Sequence, residues 1–527
     1  MKKYISLLLV CLLLAGCAAA PEATEAPTEP PAVVDPVSDN YRTYYQIFVG
    51  SFSDGNNDGI GDLRGVINRM DYLNDGDILS GTDLGVQGIW LSPVFSSPSY
   101  HKYDVKDYYQ IDWRFGTEED LKELIALCKA RNVQLILDLV INHTSSEHPW
   151  FLEFKKARAE GDTENPYYDY YSGATEADKL PGVTYQKIAG CDYWYECNFS
   201  TVMPELNFDN PAVREDVVKI AKYYLDLGVS GFRFDAVKYV YFGDTARSVD
   251  FWAWYMEQLQ TIKPDIYCVG ECWSGDTEVL EYYGAMNCFN FTMAQAEGII
   301  ASAAKGQSLS TYTGYIASYQ KKVLERNADG MVMPFLSNHD MDRIAGAFIL
   351  ENNQKMAANL CLLLPGSPML YYGEEIGMRG SRGGEMTDAN RRLAMRWGDE
   401  DFIRDPEGST YPEKNQIQTT VADQVADENS LLRYYGDLIA LRHQYPAIAR
   451  GTYTAVNMSK NLGGFYIDHE GQLLGLIHNN GTSEASYDLG KLKNGTFTEV
   501  CDFIGMGQAV LEGTVLTVGP QTSVILK

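Results

Sequence analysis

Four short stretches place carboxylates, an arginine and histidines directly after apolar runs. They are Asp138-Leu-Val-Ile-Asn142-His143-Thr144, Gly231-Phe-Arg233-Phe-Asp235-Ala-Val-Lys238-Tyr239, Val269-Gly-Glu271-Cys-Trp273 and Phe335-Leu-Ser-Asn338-His339-Asp340. One carboxylate at the end of a strand reads as a helix cap or an ion-pair partner. Four such stretches converging on one mouth read as chemistry. Three carboxylates with one arginine and two histidines suit hydrolysis of a glycosidic bond, in which one carboxylate attacks while another carboxyl delivers a proton. Asp235 and Glu271 fall on successive strands, so their side chains can approach to about 5–5.5 Å, the separation of retaining enzymes. Arg233 faces the same way as Asp235 by strand alternation, and its fixed charge favours the ionised aspartate. Glu271, beside Trp273, is set to keep its proton, because desolvation and negative neighbours raise a carboxyl pKa. These residues divide the work, with Asp235 as nucleophile and Glu271 as acid and then base.

Strands must present those residues, and the chain supplies them. From Tyr41 onward, short β-branched runs alternate with longer helical patterns, the mark of βαβ units. Strands are expected at Tyr44–Val49, Gly88–Leu91, Gln134–Val140, Gly231–Phe234, Ile266–Val269, Phe289–Phe291, Val332–Leu336 and Met369–Tyr372. Helices are expected over Glu118–Ala130, capped by Thr117, and over Ala212–Leu227 after the cap and first-turn pair Asn210-Pro211. Eight strands with helices between them predict a closed (β/α)8 barrel, with its chemistry on the loops after the strands. The barrel is assigned to residues 40–142 and 207–445. Residues 143–206 are too long for a structureless loop and are read as a subdomain inserted after the third strand. Residues 446–527 carry alternating segments separated by Gly- and Asn-rich turns, and are read as a C-terminal antiparallel β-sandwich.

The N-terminus is of another kind. Lys2 and Lys3 precede an apolar run, Ile5–Ala15, too short to span a bilayer, and Leu14-Ala15-Gly16-Cys17 resembles a bacterial lipoprotein processing box. Residues 1–16 are read as a signal peptide and Cys17 as the lipidated residue; the Pro- and Glu-rich residues 17–39 are read as a disordered tether. This places the chain on the extracellular face of a bacterial cell membrane, attached only through its lipid. A net charge of −28 argues against nucleic acid and anionic surfaces as partners. The cysteines show no CxxC pair, so neither a metal cluster nor a disulfide scaffold is indicated; Cys191 and Cys197 lie close enough for a local bridge.

Together with Met203-Pro-Glu-Leu-Asn207, the four stretches resemble the α-amylase family, glycoside hydrolase family 13, and are closest to its intermediate and oligo-1,6-glucosidase-like subgroup. The resemblance covers essentially the whole mature chain. It implies Asp235 as nucleophile, Glu271 as acid/base and Asp340 as a third acid that holds hydroxyls of the distorted sugar. It also implies that Arg233, His143 and His339 bind the sugar at the cleavage subsite. His101-Lys-Tyr103-Asp104 is similar to the family's segment after the second strand, where Tyr103 would stack on that sugar and Asp104 would bind its hydroxyls. Tyr103 alone reads equally well as a core aromatic. Lys238 would contact a glucose on the leaving-group side.

A separate stretch, Asp54-Gly-Asn56-Asn-Asp58-Gly-Ile60-Gly-Asp62, has oxygen ligands at alternate positions around a Gly-rich turn, and its alternative reading is an Asx-rich turn without an ion. It lacks the EF-hand's glutamate, having Gly65 at that place. It is similar instead to the calcium loop after the first strand in the same subgroup. That likeness implies a structural Ca2+ held by Asp54, Asn56, Asp58, the Ile60 carbonyl and Asp62. The chain departs from many relatives at Tyr239, where a histidine normally lends its carbonyl to a calcium shared with Asn142; a second calcium site is therefore left open. The resemblance implies an endo-acting α-1,4-glucan hydrolase working on starch and maltooligosaccharides, as a monomer. Neopullulanase, 4-α-glucanotransferase or exo-glucosidase activity is the alternative, and a starch-binding lipoprotein on a disabled barrel is the remote one.

Overall fold

Short runs buried at almost every position make the strands, as parallel strands covered on both faces require, and the computed structural model closes them into a barrel. It describes residues 37–77, 80–384, 386–398, 402–417, 419–492 and 497–527. The expected signal peptide, Cys17 and residues 18–36 of the tether lie outside the described residues. Residues 37–39 are already tied down: the Val37 carbonyl accepts from Arg42 and Asn132, and Asp39 pairs with Arg450 at 2.8 Å.

Asn287–Cys288, Tyr267–Gly270, Gly231–Phe234, Gln134–Leu139, Gly88–Leu91, Tyr44–Ile47 and Met369–Tyr371 lie side by side in that order. Every pair is parallel. The ring closes through residues 333–335, where Met333 bridges Phe289 and Phe335 bridges Met369. The expected strand Val332–Leu336 therefore takes part only through single bridges, and Pro334 at its centre is the physical reason, since proline has no N–H for a ladder. The first strand stops at Ile47 because Val49–Ser51 turns into a 3-10 helix. The fifth strand runs one residue later than expected, and the sixth ends at Cys288, before the expected Phe289–Phe291.

The register stacks the interior in layers. Tyr44, Trp90, Ile136, Tyr267 and Val269 fill its lower part with Phe289, Met333, Phe335 and Met369. Above Tyr44, Trp90, Ile136 and Tyr267 the inward positions turn polar: Asp138 is level with Arg233, and Arg233 with the apolar Val269. One step further along come Asp235 and Glu271, with the Glu271 N–H bonded to the Phe234 carbonyl at 2.9 Å. The fourth strand must begin with glycine. A Cβ on Gly231 would sit 1.7 Å from the Tyr267 carbonyl oxygen, inside any allowed contact.

The helices form where the sequence places them. Thr117 and Asp120 make a capping box for Glu118–Ala130, and Asn210 caps Pro211–Leu227. Between the third and fourth strands stand the helix Pro149–Glu160 and a small antiparallel sheet of Gly173–Ala174, Trp194–Glu196 and Tyr185–Lys187. The C-terminal part is two antiparallel sheets, of five and three strands, around a core that includes Val456, Leu462, Tyr466, Ile477, Leu516 and Val524. Cys191 and Cys197 are free thiols, so the local bridge is absent. No helix among the described residues is long and apolar enough to cross a membrane.

Candidate active site

Arg233 organises the mouth of the barrel. Its guanidinium is fully buried; Nη1 donates to Asp138 Oδ1 at 2.8 Å and to Asp235 Oδ1 at 2.7 Å, and Nη2 lies 3.3 Å from Glu271 Oε2. Asp235 and Glu271 therefore share one cation from adjacent strands. The backbone after Asp235 contributes as well. Ala236 adopts a left-handed conformation, φ 51°, and donates its N–H to Glu271 Oε2 at 3.1 Å. A non-glycine residue there carries strain, a cost that clusters at functional sites.

The carboxyls differ in charge state because their surroundings differ. Burial pushes the Glu271 carboxyl up to about 8; Arg233 opposes the rise, and the charges of Asp235 and Asp340 reinforce it. Burial also raises Asp138, again against Arg233. For Asp340 burial acts in the same upward direction but loses. His339 at 3.0 Å and Arg392 at 2.7 Å, with Arg233 beyond, hold that carboxyl well below the usual range.

His339 is locked from both sides of its ring. Gln46 Nε2 lies 2.7 Å from Nδ1, and an amide nitrogen can only donate, so Nδ1 accepts and the ring proton sits on Nε2. Nε2 then faces the Tyr103 hydroxyl at 2.6 Å and Asp340. Burial lowers the pKa of His339, in keeping with a neutral ring. Tyr103 donates its hydroxyl to Asp138 at 2.9 Å and stacks parallel to His339, with centroids 5.4 Å apart.

Five of the expected residues, Asp235, Glu271, Asp340, Arg233 and His339, thus form one network with Tyr103. Asp104 stands beside it, held by the Ser97 and Ser99 hydroxyls. His143 is buried with Nε2 lacking any hydrogen-bond partner, while Nδ1 lies 3.3 Å from the Asn142 amide. A buried ring nitrogen without a partner fits a place where a ligand hydroxyl completes the bonding. Lys238 does not join the carboxylates; it donates to the Trp273 carbonyl at 2.8 Å. Aromatic rings continue outward: Phe199 lies 5.2 Å from His143 and 4.5 Å from Tyr239, and Trp273 stacks on Phe291 at 4.8 Å.

The loop Asp54–Asp62 lies apart. Asp54 Oδ1 accepts from the Asn56 and Asn57 N–H groups and Oδ2 from Gly59, Asn56 accepts from Asp58, and Asp58 accepts from Ile60. Asp62 caps the helix Leu63–Asn68 through Gly65 and also accepts from Gly55. These bonds are the loop's own Asx turns. Among the described residues, no group of three His, Cys, Asp or Glu side chains is placed to hold a metal ion.

Residues 46–451 match the family described as the α-amylase catalytic domain. The chain belongs to the α-amylase family. It is 34% identical over 491 residues to "Alpha-amylase 3" of Dictyoglomus thermophilum, covering 92% of each chain. It is 33% identical to the 4-α-glucanotransferase of Thermotoga neapolitana over 64% of this chain and 72% of that one. It is 30% identical to the oligo-1,6-glucosidase of Parageobacillus thermoglucosidasius over 78% and 84%. Among solved structures, Eubacterium rectale Amy13B superposes with a TM-score of 0.86 at 34% identity, over 95% of this chain and 99% of that one.

As a family 13 glycoside hydrolase acting on α-glucans, the chain needs one carboxyl able to give up a proton near neutral pH beside one held as an anion. The Arg233 cluster sets Asp235 on a buried cation beside the Glu271 carboxyl that burial raises. Sequence reasoning missed Gln46 and Arg392, and it did not assign a role to Asp138. Asp138 was in plain view at the end of its strand; Arg392 follows a loop with no periodic signal.

The raised Glu271 carboxyl has a consequence for stability. Below the unfolded-state pKa, near 4.3, both states hold the proton and the residue is neutral to folding; as pH rises toward 8 the folded protein retains a proton that the unfolded chain releases, and stability is lost. Glu271→Gln is expected to be more stable than the parent by on the order of 1–3 kcal/mol at pH 7, with the gain vanishing near pH 4. Urea unfolding at several pH values measures this, and a pH-independent difference would refute it.

Proposed function

We propose that the chain is a retaining, endo-acting α-amylase that cleaves α-1,4-glucosidic bonds in starch and maltodextrins. The observation that carries this reading is the shared contact of Asp235 and Glu271 with one buried guanidinium. In this scheme Glu271 protonates the glycosidic oxygen as Asp235 attacks the anomeric carbon, the C–O bond breaks, and a glucosyl ester forms on Asp235. Glu271, now ionised, takes a proton from water, which attacks the same carbon and frees Asp235. Asp340, held as an anion by His339 and Arg392, accepts hydroxyls of the distorted sugar. Tyr103 stacks on that sugar, and Asp104, His143, Arg233 and His339 bind its polar groups. Lys238 contacts a glucose on the leaving-group side, where Trp273 and Tyr239 offer ring faces.

Several observations favour amylase over the alternatives. The relative named as an α-amylase aligns over 92% of the chain, whereas the one named as a 4-α-glucanotransferase aligns over 64%. All three carboxylates are present, which speaks against a binding-only barrel. A lipid anchor at Cys17 on the outer face of the cell membrane suits polymers too large to import.

A calcium ion in the Asp54–Asp62 loop belongs to the same reading. The donors are all oxygen, which suits a hard cation. Burial raises the Asp62 carboxyl, and the charges of Asp54 and Asp58 raise it further, so the three acids repel one another and a cation would relieve that repulsion. Asp54, Asn56, Asp58, the Ile60 carbonyl and Asp62 would hold the ion, and its contribution would be structural.

The purified protein is expected to release short maltooligosaccharides from amylose; glucose alone from maltotriose would replace this reading with an exo-glucosidase, and elongated products would replace it with a glucanotransferase. Asp235→Asn should lower kcat by at least about 10⁴-fold while still binding maltooligosaccharides. Chelation should lower the melting temperature and calcium should restore it, an effect lost in Asp58→Ala; an indifferent parent would remove the metal from the scheme. Cys17→Ser should move the protein from the detergent to the aqueous phase, and unchanged partitioning would refute the anchor.

A further inference from the structure

Lys102 is an anomaly on three counts. Its backbone is left-handed, φ 66°, in a residue with a long side chain. Its side chain is only 1% exposed. Its ammonium forms a buried ion pair, 3.0 Å from Asp112 Oδ2, with Asp112 equally enclosed. Glycine would adopt this backbone more cheaply, and an apolar side chain would fill the space without desolvating a charge. Strain and a buried ion pair at one residue are a reason to look for a functional constraint.

The bonds around Lys102 lead to the sugar-binding segment. Besides Asp112, its ammonium donates to the Ser99 carbonyl at 2.7 Å and lies 5.3 Å from the Phe115 ring centroid. Further Asp112 contacts close the frame: Oδ2 accepts from the Ser97 N–H at 3.2 Å, Oδ1 accepts from the Arg114 N–H at 3.1 Å, and the Arg114 guanidinium lies 4.0 Å from Oδ1. The ion pair thereby fixes the backbone at Ser97 and Ser99, whose hydroxyls both donate to Asp104 Oδ1. Ser99 Oγ in turn accepts from the Lys102 N–H at 3.2 Å. The next residue in the chain is Tyr103, whose hydroxyl meets Asp138 and His339.

We propose that Lys102 is a positioning residue, whose buried ion pair with Asp112 aims Asp104, through Ser97 and Ser99, and Tyr103 at the sugar bound in the cleavage subsite. The segment 97–104 has no regular secondary structure of its own to hold it. One ammonium anchored at both ends supplies the rigidity that a strand or helix supplies elsewhere at this mouth. Lys102 does not touch the sugar; its effect passes entirely through Asp104 and Tyr103. The inference rests on the reading of those two residues as sugar-binding, made under the proposed function.

Activity on amylose and maltotriose, measured well below each variant's melting temperature, tests this. Lys102→Met and Asp112→Asn should each lower kcat/KM by about 10–100-fold, chiefly through kcat, as misaligned binding groups do. Lys102→Arg, which keeps the charge, should recover most of the loss. Asp104→Asn alone tests the underlying reading, since normal activity would mean Asp104 does not serve the sugar. If Asp104→Asn is impaired, adding Lys102→Met should cost little more, because the two act on one path. Multiplicative losses in the double variant would overturn the proposal, as would full activity in Asp112→Asn. Where Lys102→Met fails to fold, the cycle of Asp112→Asn with Asp104→Asn applies the same test.

Discussion

A guanidinium sealed at the top of a barrel among Asp138, Asp235 and Glu271 is the interaction on which the rest of the site depends. A buried cation is tolerable only if compensated, and three ionised carboxyls around one cation would leave two surplus negative charges. Burial first, and that surplus second, push the carboxyls of both Glu271 and Asp138 upward. The raised Glu271 carboxyl and its neighbour Asp235 are thus held by one arrangement, on one cation. Removing Arg233 would strip the compensation from every acid around it.

The barrel makes this arrangement sustainable. Aromatic and aliphatic side chains fill the lower interior, so the polar layer above rests on an apolar floor, and Trp90 adds its ring face 5.2 Å from the guanidinium. Residues on neighbouring strands are held in register by ladder bonds, so Arg233, Asp235 and Glu271 need no mobile loop to bring them together. Groups on the loops need separate anchors. Asp340 has Arg392 and His339, His339 has Gln46 and Tyr103, and the segment carrying Asp104 has the Lys102–Asp112 pair. Arg392, Gln46 and Tyr103 reach Asp340 and His339 from distant parts of the chain, so the rigidity of the mouth draws on more than its own loops.

Asp340 and Glu271 show how little chemical identity decides by itself. Both are buried carboxyls at the same mouth, and burial pushes both upward. Two nearby cationic or hydrogen-bonding partners reverse the outcome at Asp340, whereas at Glu271 the one guanidinium is shared with other acids. The surface loop at Asp54–Asp62 gives a parallel lesson. Its oxygens satisfy the loop's own N–H groups whatever else they bind, so Asx-turn geometry and ion binding draw on the same residues.

The sequence by itself determined the alternation of strand and helix, the caps at Thr117 and Asn210, and the presence of Asp235 and Glu271 at the ends of neighbouring strands. Each of these is written over a few residues: short apolar runs for strands, period 3.6 in helices, a polar residue where either stops. Pro334, which has no N–H for a ladder, stands in the sequence at the centre of the one expected strand that forms only single bridges. Tertiary structure alone decided which residues met across long separations: Tyr103 with His339 over 236 positions, and Gln46 with His339 over 293. It also decided that the Lys102 side chain would be buried, and that two similar carboxyls would hold opposite charge states. Burial and the sum of nearby charges set those outcomes, and neither exists until the chain has closed.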